Sequence, residues 1–191
     1  MRVPFERVQL FHCRTGEFVF LCVLFPSLSV MVRNDQVFFT GEEGPHRAFL
    51  YNFTGNHTEE FPNTLACREL HGSAYIHRTV YLFGGPGITA ERCFLPSKSW
   101  TWRLAMPIQR SGFTPCTSQR RVSLCGGSAP LSHVFHINTE GYQQLPFTLP
   151  VGSRCIATMV QGNLIVEMQQ YRAMWNGTEG LRMYVMDYVV Q

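Results

Sequence analysis

Four short apolar runs recur along this chain at an almost fixed spacing, and that period limits the fold more tightly than composition does. VFFTGE at 37–42, VYLFGG at 80–85, VSLCGG at 122–127 and LIVEMQ at 164–169 begin 42 or 43 residues apart. Self-similarity at such a spacing marks a repeat architecture built from one recurring supersecondary unit. The flanks recur as well. A strand-like segment and a short polar turn precede each run: SLSVMV, GSAYIH, GFTPCT and RCIATMV. A loop and a third apolar segment follow it: AFLYNF, ERCFLP, HVFHIN and LRMYVMDY. In the two central copies a fourth segment opens on Trp100 or Tyr142 and closes at Pro107 or Pro150. Arg68 and Arg110 both stand 16 residues before the first glycine of their run.

The unit is therefore four short strands joined by turns. One such sheet cannot bury both of its faces. Sheets stacked face to face around an axis cover one another, which predicts an all-β fold, a β-propeller or propeller fragment of four-stranded antiparallel blades. The pairs Gly84-Gly85 and Gly126-Gly127 then end a second strand where crowded backbone excludes a side chain. Gly41 is what remains of the pair in the first copy. Trp100 and Tyr142 open an outer strand and are placed to cover the gap between blades.

The same phase accounts for the N-terminus. VQLFHC at 8–13 reads as a third strand, and FVFLCVLFP at 18–26 as a fourth closed by Pro26. This divides the most hydrophobic stretch, 18–32, between two blades. That stretch is shorter than the roughly 20 residues a membrane helix needs. The chain reads as one domain over 1–191, with units at 1–26 (partial), 27–65, 66–110, 111–151 and 152–191 (partial). Two strands, three complete units and three strands predict either an arc or a small ring. In the ring, the N-terminal strands complete the last unit.

An apolar strand ending in Gly-Gly, then an aromatic, then Trp about six residues later resembles the kelch repeat. Residues 80–100 match with Phe94 and Trp100, and 122–142 with His136 and Tyr142 in the two aromatic places. The copies on either side keep one glycine or none, and the resemblance covers nearly the whole chain. It implies a kelch-type propeller of about four repeats. It also implies a non-catalytic protein-interaction scaffold, a substrate-recognition module in some relatives, with no cofactor. Partners would dock on the loops between second and third strands, at 42–47, 86–90, 128–132 and 170–180. The contact candidates are His46 and Arg47, with Tyr171, Arg172, Met174 and Trp175 in the longest loop, because aromatic and Arg residues anchor interfaces. The rival is an enzyme on the same fold, galactose-oxidase-like or sialic-acid-epimerase-like. A copper oxidase of that kind would bring His46, His57 and Tyr171 together.

Other chemistry is sparse. The net charge of +3 is scattered, which argues against nucleic acid as a partner. Seven cysteines without a CxxC pair read as buried reduced thiols of a cytoplasmic protein, with no metal site. Sequons at Asn52, Asn56 and Asn176 keep a secreted or membrane-anchored protein as the second alternative. His133 and His136 fall on opposite faces of a strand and cannot chelate together. Trp100 and Trp102 share a face, which reads as core packing. Arg68 and Arg110 read as one structural contact made twice.

Overall fold

The computed structural model describes residues 6–12, 17–23, 28–33, 35–40, 46–151, 155–160, 163–168, 171–175 and 181–185. Side chains are described over 35–40 and 46–151 and at 157 and 163–166. The described residues are all-β. Strands β1 (Glu6–His12) and β2 (Glu17–Val23) pair with each other as a two-stranded sheet. Four antiparallel sheets of four strands follow. The first holds β3 (Leu28–Arg33), β4 (Gln36–Thr40), β5 (Ala48–Asn52) and β6 (His57–Phe61). The second holds β7 (Gly72–Ile76), β8 (Thr79–Phe83), β9 (Ala90–Phe94) and β10 (Ser99–Arg103). The third holds β11 (Cys116–Ser118), β12 (Arg121–Leu124), β13 (Leu131–His136) and β14 (Gly141–Thr148). The fourth holds β15 (Cys155–Val160), β16 (Asn163–Met168), β17 (Tyr171–Trp175) and β18 (Leu181–Val185).

Within each sheet the strands pair in chain order, so every sheet is a meander. The first strands lie side by side from sheet to sheet: β3 by β7, β7 by β11 and β11 by β15. A second strand is therefore covered on both faces, and all five residues of β8 are buried. This is why VYLFGG reads as a continuous apolar run rather than an alternating one. The outer β10 keeps only Trp100 buried. Phe38, Phe61, Val80, Leu82, Cys93 and Trp100 fill the space between the first and second sheets. Tyr81, Phe83 and Phe135 pack between the second and third, with Phe83 and Phe135 edge to face at 5.4 Å. Each fully buried Phe contributes on the order of 1.5–3 kcal/mol.

The backbone repeats as strictly as the side chains. Positive φ occurs at Leu70 and Gly112, His77 and Gln119, Gly84 and Gly126, Gly85 and Gly127, and Lys98 and Glu140. Each of these pairs is 42 residues apart.

Three expectations need correction. The last unit has four strands, not three: LRMYV is its fourth strand, and its third is Tyr171–Trp175, read above as loop. The connection from β16 to β17 spans only 169–170, so no long loop separates them. Second, β1 and β2 show no pairing with β15–β18 among the described residues, so no shared sheet closes a ring. Third, β10 ends at Arg103 and not near Pro107, while β11 is limited to Cys116–Ser118. Pro146 lies within β14, which tolerates it as an edge strand.

The stretch 18–32 is split between β2 and β3 in different sheets. Among the described residues no helix is long and apolar enough to cross a membrane.

Candidate functional site

In the second and third sheets, meander topology sends the β-turns to one end and the longer loops to the other. The loop end carries the connection from second to third strand and the lead-in from one sheet to the next. There the second strands of one sheet meet the lead-ins of two. Gly85 N–H donates to Arg110 O at 3.0 Å, and Gly112 N–H donates to Leu70 O at 2.8 Å. The latter bond joins equivalent positions of adjacent lead-ins.

Buried arginines fasten this junction. The guanidinium of Arg68 donates to Glu91 Oε1 at 2.6 Å, Gly84 O at 2.6 Å and Thr89 O at 3.0 Å. The second carboxylate oxygen of Glu91 accepts from Leu65 N–H at 2.7 Å. Arg110 donates to the carbonyls of Gly126, Ala129 and Leu131. One contact made twice is what the matched spacing predicts, and the glycine carbonyl is common to both. The copies diverge at the acid, because His133 stands where Glu91 would recur. Burial and then Arg110 lower the pKa of His133. His71 shares a hydrogen bond of 2.9 Å with Thr40 of the preceding sheet. Burial, then Arg68, holds its pKa near about 3, so its ring stays neutral at physiological pH.

Outer strands are tied by a second repeated contact. Trp100 Nε1–H donates to Pro62 O at 2.8 Å, and Tyr142 O–H donates to Leu104 O at 3.0 Å. Both bonds reach back 38 residues to the preceding sheet. Burial raises the Tyr142 pKa well above the usual phenol range. Tyr142→Phe keeps the ring and loses one bond, whereas Trp100→Phe loses the bond and part of a buried ring. Tyr142→Phe is expected to cost about 1 kcal/mol in a urea melt, and Trp100→Phe more. A loss in only one of the two would show that the ties are not equivalent.

The sequence-based candidates are not brought together. Arg47 is exposed and pairs with Glu60 of its own sheet at 3.1 Å. His46 lends its carbonyl to Thr64 N–H at 2.7 Å. Tyr171, Arg172, Met174 and Trp175 lie in a strand paired on both sides, β16 and β18, rather than in a solvent loop. Gly41 lies outside the described residues. His46 precedes β5, whereas His57 pairs with Asn52 at its far end. Two expectations about exposure also need correction. Trp102 is 49% exposed although it shares a face with Trp100, which already lies at the end of β6 with its Nε1–H on Pro62 O, so Trp102 falls past that strand. Cys67 is exposed, whereas Cys93, Cys116 and Cys125 are buried. Burial, then Glu91, pushes the Cys93 thiol up to about 12.

What sequence reading missed is the character of the loop end. Leu65, Leu70, Ile88, Trp102, Leu104 and Val151 are all at least 40% exposed there. Across 62–71, 84–89, 104–115, 125–130 and 149–151, Glu69 is the only exposed charged side chain. Among the described residues no three His, Cys, Asp or Glu side chains group as a metal site. No protein-family model matches the chain, and no curated protein matches it significantly.

Proposed function

We propose that the chain is a kelch-type β-propeller, or an arc of one, that serves as a non-catalytic scaffold binding a protein partner through its loop end. The radial reading is supported by the side-by-side first strands, the glycine pair at the junction of lead-ins, and the repeated outer-strand tie. The binding reading rests on one observation: around the second and third sheets the described loop end presents exposed apolar side chains with Glu69 as its one exposed charge, while Arg47 is exposed beside the first sheet. Interface cores are depleted in charge and enriched in aromatic side chains, as at Trp102.

The test compares the wild type with Trp102→Ser combined with Leu104→Ser. Both side chains are largely exposed, so the melting temperature should stay within a few degrees. Capture of protein partners by the immobilised chain should fall by about tenfold or more, the effect of losing an aromatic anchor. Equal capture by the two proteins rules out the loop end. Copper-dependent oxidation of galactose, or epimerisation of an N-acetylhexosamine, by the purified chain would favour the enzyme.

A further inference from the structure

The opposite, turn end differs in charge. Arg78 and Arg120 lie in the tight turns that precede β8 and β12, Arg121 is the first residue of β12, and all three are exposed. None has a carboxylate within ion-pair distance among the described residues, although Arg47, Arg92, Arg103 and Lys98 each have one. Their backbones are fixed. Arg78 O accepts from Leu95 N–H and Arg120 O from Ile137 N–H, both at 3.0 Å. The strands that lead into the two turns, β7 and β11, are neighbours.

The β7–β8 turn has positive φ at both central residues, 47° at His77 and 63° at Arg78. Such a turn is most easily made by Asn-Gly. His-Arg there costs stability, and a cost of this kind is retained where the side chains have a use.

Next to Arg78 lies a cleft of about 360 Å³, lined by Thr79, Arg92, Phe94, Ser97, Ser99 and Thr101. Hydroxyls, one guanidinium and a 43% exposed aromatic ring line its walls. The nearby Glu140 is held by Arg103 at 2.5 Å and stands 3.5 Å from Arg92, so the Arg92 fork keeps donors to spare. A guanidinium fork with donors free is matched by a carboxylate.

We infer that this turn end binds an acidic segment of a protein partner. Arg78, Arg120 and Arg121 attract the segment, and one carboxylate side chain enters the cleft to meet Arg92. The patch is confined to two turns and the adjoining cleft, which suits a short peptide better than a nucleic acid or membrane surface. It is separate from the loop-end reading, because it uses the other end of the sheets and residues absent from that test.

The probe is a fluorescein-labelled decapeptide of alternating Glu and Ser, followed by fluorescence anisotropy with the full chain. Binding is expected at about 0.05 M salt and should weaken about tenfold by about 0.5 M. Replacing Arg78, Arg120 and Arg121 by Ser should reduce affinity at least about tenfold, and Arg92→Gln several-fold, with melting unchanged. A matched Lys-Ser peptide should not bind. Four outcomes overturn the inference. They are no binding of the acidic peptide, equal binding by the triple variant, equal binding of the Lys-Ser peptide, or tighter binding to single-stranded DNA or phosphatidylserine vesicles.

Discussion

Glu91→Gln is expected to destabilise the protein by about 3–5 kcal/mol, read as a lower urea midpoint at unchanged slope. The pair it breaks is fully inside: the side chains of Arg68 and Glu91 are 1% and 0% exposed. Neutralising the acid leaves Arg68 charged, with only the carbonyls of Gly84 and Thr89 to receive it. The Leu65 N–H would then donate to an amide rather than a carboxylate. Since domains hold only about 5–15 kcal/mol in all, one such change takes a large share. The surface pair Arg47–Glu60 sets the scale, because its side chains are 53% and 80% exposed. Glu60→Gln should shift stability by less than about 1 kcal/mol. Replacing the buried pair together, as Arg68→Met with Glu91→Leu, removes the stranded charge and should recover much of the loss. A Glu91→Gln melt within about 1 kcal/mol of wild type would mean that water reaches Arg68.

Gly127→Ala should cost a comparable amount, about 3 kcal/mol or more, through a different cause. The φ of Gly127 is +73°, and an added Cβ would fall closer than 3.0 Å to the Ser111 carbonyl oxygen. That oxygen is backbone and accepts from Ser128 N–H at 2.9 Å, so it cannot swing aside. Gly85 repeats the situation against Glu69 O at 2.8 Å. Gly87, three residues beyond the first glycine of its run, is the internal control, because a Cβ there meets nothing within 4 Å. Gly87→Ala should be neutral or stabilise by up to about 1 kcal/mol. If the two alanine variants melt together, the crowding at the glycine pair is not what fixes it in sequence.

The repeat was legible because its physical causes leave marks one residue wide. Burial on both faces makes β8 apolar from Val80 to Phe83, crowding demands the glycines, and the outer tie demands a ring with a donor. Where those marks fade, the reading slipped. The fourth sheet has no glycine pair, and its second and third strands are separated by only 169–170. Tyr171–Trp175 therefore reads in sequence as a loop and the following strand as the third. Trp102 was misread because strand alternation says which face a side chain takes, not how far the neighbouring sheet extends to cover it. Glu91 was missed because Arg68 finds it 23 residues away and the next copy replaces it with His133. The turns are legible only as short polar connections, and the cleft beside Arg78 depends on packing that no local pattern records.

The bonds from Trp100 to Pro62 and from Tyr142 to Leu104 both run backward by one sheet and by the same number of residues. Such ties act only between nearest neighbours, so a lesion in one sheet is felt next door and fades beyond it. They also make growth discrete. A chain of this kind can gain or lose a whole 42-residue unit with every tie intact. Loss of part of a unit instead would leave a ring without its carbonyl or a lead-in without its glycine.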